Sequence, residues 1–221
     1  MQDFITRLPE AILLTIQLTL VGFFAGQLIA LVLGSCLHLT SGVLHKALRV
    51  YPFVFRGTPL LIQLFILYYG VAQVDFIRDT FLWAIFSDAK GVAMLALTLN
   101  VGAYSSILVF GALRHLPAGQ VEAASALGIS RLQTLVRVEI PQAYRHLLPS
   151  LSNEIIFTLK GSALASTITI MELTGLTRTF IAQTYAPFEY FPVAGLVYLA
   201  IGFVALQVFR YLEKRLRLPG N

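Results

Sequence analysis

The longest uncharged stretch of the chain strongly limits what it can fold into. Residues 11–44 contain no Asp, Glu, Lys or Arg. About 20 consecutive apolar residues can cross the roughly 30 Å hydrocarbon core of a bilayer as a helix. A helix buried in a soluble core is the alternative, but other apolar stretches follow, and only 12% of the 221 residues are charged, against about 25% in soluble domains. The sequence therefore predicts an integral membrane protein.

Five transmembrane helices are expected, in an all-α fold that forms one domain over residues 1–221. The expected spans are residues 11–38, 57–74, 91–113, 147–171 and 191–209. The fourth span is expected to be broken, because Gly161 followed by Ser162 favours an interruption of the helix. Backbone that is not helical is tolerated at membrane depth only where it is buried in protein or lines a cavity.

The distribution of basic residues predicts the orientation. Lys and Arg are enriched in the cytoplasmic loops of membrane proteins. With five spans, most Lys and Arg residues fall on the same side as the C-terminal tail, and fewer fall on the side of the N-terminus. We therefore expect the N-terminus outside and the C-terminus inside. The net charge of +5 is attributed to this anchoring and not to nucleic-acid binding, because no basic patch is interleaved with aromatic residues. The inner set is Lys46, Arg49, Arg56, Arg114, Arg131, Arg137, Arg145, Arg210, Lys214, Arg215 and Arg217, and the outer set is Arg7, Arg78, Lys90 and Arg178.

The cytoplasmic segment at about residues 114–146 is predicted to form a rigid helical hairpin. Residues 118–127 are strong helix formers, and they are followed by Gly128, which favours the left-handed conformation found after helix ends. Ser130 begins a second short helix, with Gln133 three residues later as a capping box.

Two alanines in the first hairpin helix suggest a contact surface. Ala123 and Ala124 have almost no side-chain bulk, so the helix could approach another surface closely, with the charge of Glu122 beside that contact. The hairpin could therefore dock on a soluble partner. It could equally stabilise the helix bundle, and the residues alone leave both functions open.

The spacing of this segment resembles the loop by which permease subunits of bacterial ABC importers dock on their ATPase. That loop reads Glu-Ala-Ala, three residues, Gly, nine residues, Ile, one residue, Leu-Pro. Two positions of this chain depart conservatively, with Val in place of Ile and Ile in place of Leu. The resemblance implies that the first four matching residues couple the chain to a separate ATPase dimer. The matching residues are Glu122, Ala123, Ala124, Gly128, Val138, Ile140 and Pro141.

A second motif resembles the polar amino-acid permeases within that family. Residues 55–63 read Phe-Arg-Gly-Thr-Pro-Leu-Leu-Ile-Gln, in which Thr58 is suited to cap a membrane helix and Pro59 to occupy its first turn. The resemblance is strongest to permeases for arginine and for histidine, lysine and ornithine. Residues 160–163, Lys-Gly-Ser-Ala, depart from the family, which often has a polar residue and then Thr after the Lys. Further matches are residues 97–100, 103–104, 152–154, 160 and 164.

The resemblance also implies a set of partners. These are a second permease subunit, expected to be a different homologous chain, an extracytoplasmic amino-acid-binding protein, and the lipid of a bacterial cytoplasmic membrane. No cofactor or metal is expected.

Three polar side chains lie inside the predicted spans. A charge at membrane depth costs about 2.5–3.5 kcal/mol on insertion scales and usually marks a pathway or a buried pair. Glu154 is the only carboxylate well inside a predicted span. Lys160, six residues later, is not on the same helix face, so the two are not expected to pair. We expect Glu154 to attract a cationic side chain and Asn100 to hydrogen-bond the ligand, as the resemblance also implies, although structural roles are the alternative for all three.

The remaining expected site residues complete a small polar cavity. Backbone amides freed at Gly161 and Ser162 would face the carboxylate of the ligand. Tyr104, which belongs to the same matched stretch as Asn100, is assigned to the substrate site as well.

Other functions are less consistent with the sequence. ATP hydrolysis by this chain is excluded because no Gly-Lys dipeptide, and hence no Walker A loop, occurs in it. A membrane hydrolase would need a nucleophile and a base at depth, and neither His-Glu-x-x-His nor Gly-x-Ser-x-Gly is present. A stand-alone secondary transporter would normally be longer and show internal repeats. A permease for a neutral polar amino acid or an opine remains an alternative to a cationic amino-acid permease.

Overall fold

The computed structural model describes residues 2–216, and this part of the chain contains helices and no strands. Arg217, counted above in the basic tail, lies outside the described residues. Four irregular helical turns, at Ile66–Gly70, Val71–Gln73, Leu135–Glu139 and Ala163–Ile168, adjoin regular helices. The α-helices are α1 (Gln2–Leu39), α2 (Gly42–Gly57), α3 (Leu60–Phe65), α4 (Asp75–Arg78), α5 (Trp83–Phe86), α6 (Ala89–Arg114), α7 (Ala118–Ala126), α8 (Arg131–Thr134), α9 (Ile140–Ser162), α10 (Leu173–Thr184) and α11 (Pro187–Leu216).

The helix lengths agree with a membrane protein. Helices α1, α6 and α11 are each long and apolar enough to cross a bilayer. Two bent helix pairs, α2 with α3 and residues 131–168 with α10, could each form one further span. The all-α prediction is confirmed for residues 2–216, whereas the number of five spans and the orientation stay predictions.

Close packing of α1 against α6 forms the centre of the fold. A Cβ atom added at Gly22 would lie 2.6 Å from Cβ of Leu97, and one at Gly26 would lie 2.6 Å from Cβ of Val101. Both distances are too short for real atoms, so glycine is what allows these helices to approach. Small residues have this role between membrane helices, where packing replaces the hydrophobic driving force.

The basic segment after α1, which the sequence analysis placed between two spans, is helical. Along α2, the ring of His45 lies 5.6 Å from that of Phe110, whereas the Tyr51 hydroxyl donates to the carbonyl of Leu99 at 2.6 Å. Helix α2 therefore follows α6 from near its end to its middle. One of the basic residues of α2 lies against α6: the guanidinium of Arg49 is 5.6 Å from the centroid of the Phe110 ring.

Helix α3 continues from the middle of α6 towards its beginning, since Leu64 packs in one buried cluster with Val92 and Leu97. The chain bends by 102° between Gly42–Gly57 and Leu60–Gly70. These contacts favour a single broken span for α2 and α3, in place of the continuous span predicted at residues 57–74.

The fourth predicted span is broken, but not at the expected residues. Helix α9 continues through Gly161 to Ser162, and the irregular turn Ala163–Ile168 follows. The break is at Thr169, which has a left-handed backbone with φ of 73°. Helix α10, which the sequence analysis did not predict, then starts at Leu173.

Candidate functional site

A cavity of about 660 Å³ opens where the break between α2 and α3 meets α6 and α9. This volume lies within the usual range for small-molecule sites, roughly 300–1,000 Å³. Three of the five residues predicted to bind substrate line it, on two different helices. The lining residues are Arg56, Gly57, Thr58, Pro59, Leu60, Asn100, Tyr104, Glu154 and Phe157.

Pro59 explains the break that forms one wall of this cavity. Proline has no N–H, so the carbonyl of Phe55 loses the donor that a continuing helix would supply four residues later. The side chain of Gln63 replaces that donor: its Nε2 lies 2.7 Å from the Phe55 oxygen and 3.0 Å from the Thr58 carbonyl oxygen. A side-chain amide thus satisfies the backbone where the span is interrupted, as burial at membrane depth requires.

Thr58 does not cap α3, contrary to the sequence expectation. The N-terminal cap position is occupied by Pro59. Thr58 instead ends α2, and its hydroxyl donates to the carbonyl of Val54 at 2.9 Å. Its own Oγ1 accepts from Nε2 of Gln63 at 2.9 Å.

Asn100 supports the break as well as lining the cavity. Its Nδ2 donates to Oε1 of Gln63 at 3.1 Å, so part of its hydrogen-bonding capacity holds the residue that satisfies the break. The sequence analysis did not identify Gln63, although its position four residues after Pro59 is a signal that could have found it.

Glu154 differs from the other buried carboxylates. Among residues 2–216, three carboxylates are buried: Glu139, Glu154 and Glu172. Glu172 accepts hydrogen bonds from the backbone amides of Thr174 and Gly175 and from the hydroxyl of Tyr198, at 2.8–2.9 Å, and so caps α10.

The carboxylate of Glu139, like that of Glu172, has partners within the chain. It is paired with the guanidinium of Arg131, and Nε2 of His38 lies 3.0 Å from its Oε2. The residue Glu154 is only 9% exposed, and its carboxylate has no hydrogen-bond or ion-pair partner within the described chain. Its carboxylate oxygens are not among the enclosed atoms that lack a partner in the described chain, so the carboxylate is open to the cavity that it lines.

Arg56 lines this cavity. Its guanidinium lies 5.4 Å from the ring centroid of Tyr104, and the Tyr104 hydroxyl donates to the Arg56 carbonyl at 3.4 Å. Since Tyr104 is near the middle of α6, Arg56 is at the same level along that helix, and its assignment to the cytoplasmic anchors stays a prediction that this position does not favour.

Gly161, Ser162 and Lys160 lie outside the cavity lining. Both Gly161 and Ser162 are in the last turn of α9, so their amides are not freed by a break as predicted. Gly161 packs close to Leu60, and Ser162 is fully buried with its hydroxyl bonded to the carbonyl of Leu159 at 2.7 Å. Lys160 points to the groove between α9 and α11 and lies 5.9 Å from the Phe157 ring.

The hairpin predicted at residues 118–134 is confirmed in its local structure. Helix α7 ends in a Schellman motif, in which Ile129 N–H donates to the carbonyl of Ala124 and Gly128 N–H to that of Ser125. Gly128 has the left-handed φ of 74° that this motif requires. Ser130 then caps α8 in a capping box with Gln133.

The two alanines of the hairpin face different environments. Ala123 and Glu122 are exposed, whereas Ala124 is only 5% exposed within this chain alone. Ala124 is therefore already buried against its own chain, and its part in coupling to the ATPase stays a prediction. Exposed apolar residues were missed on the same hairpin, namely Leu127, Leu132 and Val136.

Comparison with known proteins places the chain in a family. Residues 11–218 match the family described as "Binding-protein-dependent transport system inner membrane component". The chain belongs to this family. This match confirms the predicted resemblance to permease subunits of ABC importers.

Several relatives are permeases of transport systems that are named for their substrates. The chain is 47% identical over 165 residues to the octopine transport system permease protein OccM of Rhizobium radiobacter, covering 75% of this chain and 67% of that protein. It is 42% identical to the arginine ABC transporter permease protein ArtM of Haemophilus influenzae, covering 94% and 89%. It is 36% identical to the histidine/lysine/arginine/ornithine transport system permease protein HisM of Escherichia coli K12, covering 91% and 85%.

Solved structures share the architecture. A crystal structure of an amino acid ABC transporter with histidines superposes with a TM-score of 0.74 at 29% identity, covering 96% of this chain and 93% of that one. The inward-facing MetNI methionine ABC transporter gives a TM-score of 0.82 at 19% identity, covering 99% and 100%, which supports the fold alone.

Proposed function

We propose that this chain is a transmembrane permease subunit of an ATP-driven importer for cationic amino acids such as arginine, lysine, histidine or ornithine. The observation that carries the proposal is the unpartnered carboxylate of Glu154, which is 9% exposed and borders the cavity that Asn100 and Tyr104 also line. A guanidinium or ammonium group would supply the missing charge-assisted hydrogen bond. Three relatives named for arginine, for histidine/lysine/arginine/ornithine and for octopine support this ligand class.

The proposed complex contains other proteins besides this chain. A separate ATPase dimer would hydrolyse ATP, a second permease chain would complete the pathway, and an extracytoplasmic binding protein would deliver the amino acid. The proposed location is the bacterial cytoplasmic membrane, with several spans, the N-terminus outside and the C-terminus inside. Family membership supports each of these partners.

The hairpin is the proposed contact with the ATPase. The Schellman motif that ends α7 and the capping box of α8 define the shape of the hairpin, and Glu122, Ala123 and the apolar residue Leu127 are exposed on it. Gly128 fixes the direction in which the chain leaves α7. Ala124 would act from inside, by letting α7 pack closely on its own subunit.

An opine importer is the second candidate. Octopine is an arginine derivative with an additional carboxylate, and the presence of Arg56 beside Glu154 in the cavity would suit such a ligand. Two relatives are octopine and nopaline permeases, at 47% and 37% identity.

Uptake by the reconstituted complex tests the proposal. With saturating binding protein, Glu154→Gln should lower uptake of arginine, lysine or histidine by about 10- to 100-fold, since a hydrogen bond to a charged group contributes roughly 1.5–3 kcal/mol. Assembly and basal ATPase activity should be unchanged, and any neutral substrate should be affected less. Wild-type uptake of every cationic substrate would refute the proposed role of Glu154. Uptake of octopine but not arginine by the wild-type complex would instead select the opine importer.

A further inference from the structure

Two opposite charges share the cavity without pairing with each other. Arg56 and Glu154 both line it, and no ion pair within 4.0 Å joins either of them to another group in residues 2–216. Opposite charges in a low-dielectric environment normally pair closely, because each is costly to desolvate alone. Arg56 is in the last turn of α2, before the break, and Glu154 is in the middle of α9, so the two residues belong to different walls of the cavity.

The guanidinium of Arg56 lies near an aromatic ring that also lines the cavity. It lies over the ring of Tyr104, 5.4 Å from the centroid, at the distance of a cation–π contact. No N–H group on the edge of the Arg56 guanidinium donates to an acceptor among residues 2–216. That edge matches the geometry of a carboxylate, which it can bind through two parallel hydrogen bonds.

We propose that Arg56 binds the carboxylate of the transported ligand while Glu154 binds its cationic group. The inference rests on the proposed function of the cavity and adds a requirement to it: the ligand must carry both charges. Amino acids with a free carboxylate, and opines derived from them, meet this requirement. Amines that lack the carboxylate do not, even when their cationic group is the same.

Binding of two ligands that differ only in the carboxylate tests the inference. Arginine and agmatine, which is arginine without its carboxylate, are titrated into the purified complex of both permease chains and the ATPase, without binding protein. Wild-type complex should bind agmatine roughly 10- to 100-fold more weakly than arginine. Arg56→Gln should weaken arginine binding by a similar factor and leave agmatine binding unchanged, and Arg56→Lys should restore part of the preference.

Arg49→Gln is the matched control. Arg49 is on the same helix and also lies over an aromatic ring, that of Phe110 at 5.6 Å, but it does not line the cavity. This variant should leave the preference for arginine unchanged. Equal weakening of arginine and agmatine by Arg56→Gln, or no weakening of either, would overturn the inference.

If the proposed function of the cavity is wrong, the binding measurements differ from those expected when only the role of Arg56 is wrong. Glu154→Gln should weaken arginine and agmatine together, because both carry the guanidinium. If Glu154→Gln changes neither ligand while Arg56→Gln still reduces only arginine binding, the cationic half of the site is wrong and the carboxylate half stands. If the wild-type complex binds neither ligand, the proposed function itself is refuted.

Discussion

Gln63 connects the break in the second span to the cavity, and its replacement has a measurable consequence. Its Nε2 lies 2.7 Å from the Phe55 carbonyl oxygen and 3.0 Å from that of Thr58, while its Oε1 accepts from Asn100 at 3.1 Å. Gln63→Leu keeps the approximate size of the side chain and removes all of these bonds. Phe55 is half-buried whereas Thr58 is exposed, so the main loss concerns the carbonyl of Phe55.

The expected loss of arginine affinity in Gln63→Leu can be estimated from the Phe55 carbonyl alone. Leaving a buried acceptor unsatisfied costs about 1–3 kcal/mol. The variant can avoid this cost by rearranging the backbone around the break, which would displace Arg56 and Asn100. Ligand binding must then restore the original arrangement, and the apparent affinity falls by the same free energy. Arginine should therefore bind roughly 5- to 150-fold more weakly, although Glu154 is untouched.

The assay is equilibrium binding of arginine to the purified complex, with Gln27→Leu as the control. Gln27 is also a buried amide, and its Nε2 donates to Oγ of Ser105 at 2.8 Å, between α1 and α6. Its Oε1 has no partner in the described structure, so replacement also removes an unsatisfied group. Since a hydrogen bond between membrane helices averages about 0.6 kcal/mol, this control should change affinity by less than about threefold. Unchanged binding in Gln63→Leu, or an equal loss in both variants, would refute the reasoning.

Three further predictions concern the hairpin, the packing and the orientation. Ala123→Arg should abolish transport and release the ATPase while Ala123→Ser does neither; normal transport by the Arg variant would exclude docking through this face. Gly26→Ala should destabilise the subunit by about 1–3 kcal/mol in thermal unfolding, because the added Cβ lies 2.6 Å from α6, whereas Gly111→Ala, which meets nothing within 4 Å, should be neutral; equal stability of the two contradicts the packing argument. A cytoplasm-active reporter should be active after Asn221 and inactive at Asp79, and the opposite pattern would reverse the orientation.

Local patterns predicted the hairpin and the third span well. The end of α7 at Gly128 and the capping box at Ser130 depend on residues within a few positions of each other, so the sequence contains all the information they need. The span predicted at residues 91–113 corresponds to α6 at Ala89–Arg114, because its hydropathy is continuous.

Features that depend on tertiary contacts were not predictable in the same way. Basic residues made α2 resemble a loop, and only its packing along α6 shows that Arg49 and Arg56 lie against aromatic rings. Which alanine of α7 faces inward is likewise decided by the rest of the subunit. Asn100 and Glu154 were identified from their polarity at membrane depth, and the structure brings both to one cavity. Gly161 was assigned to a break that begins only after α9 ends.

The central claim is that a cationic amino acid binds in the cavity between the broken span, α6 and α9. The most direct test is an experimental structure of the assembled complex, determined at saturating arginine concentration. The account predicts ligand density in this cavity, with the guanidinium against the carboxylate of Glu154 and in contact with the region of Asn100 and Tyr104. Arginine bound elsewhere in the membrane region, with Glu154 paired to a protein group of the second permease chain, would contradict it.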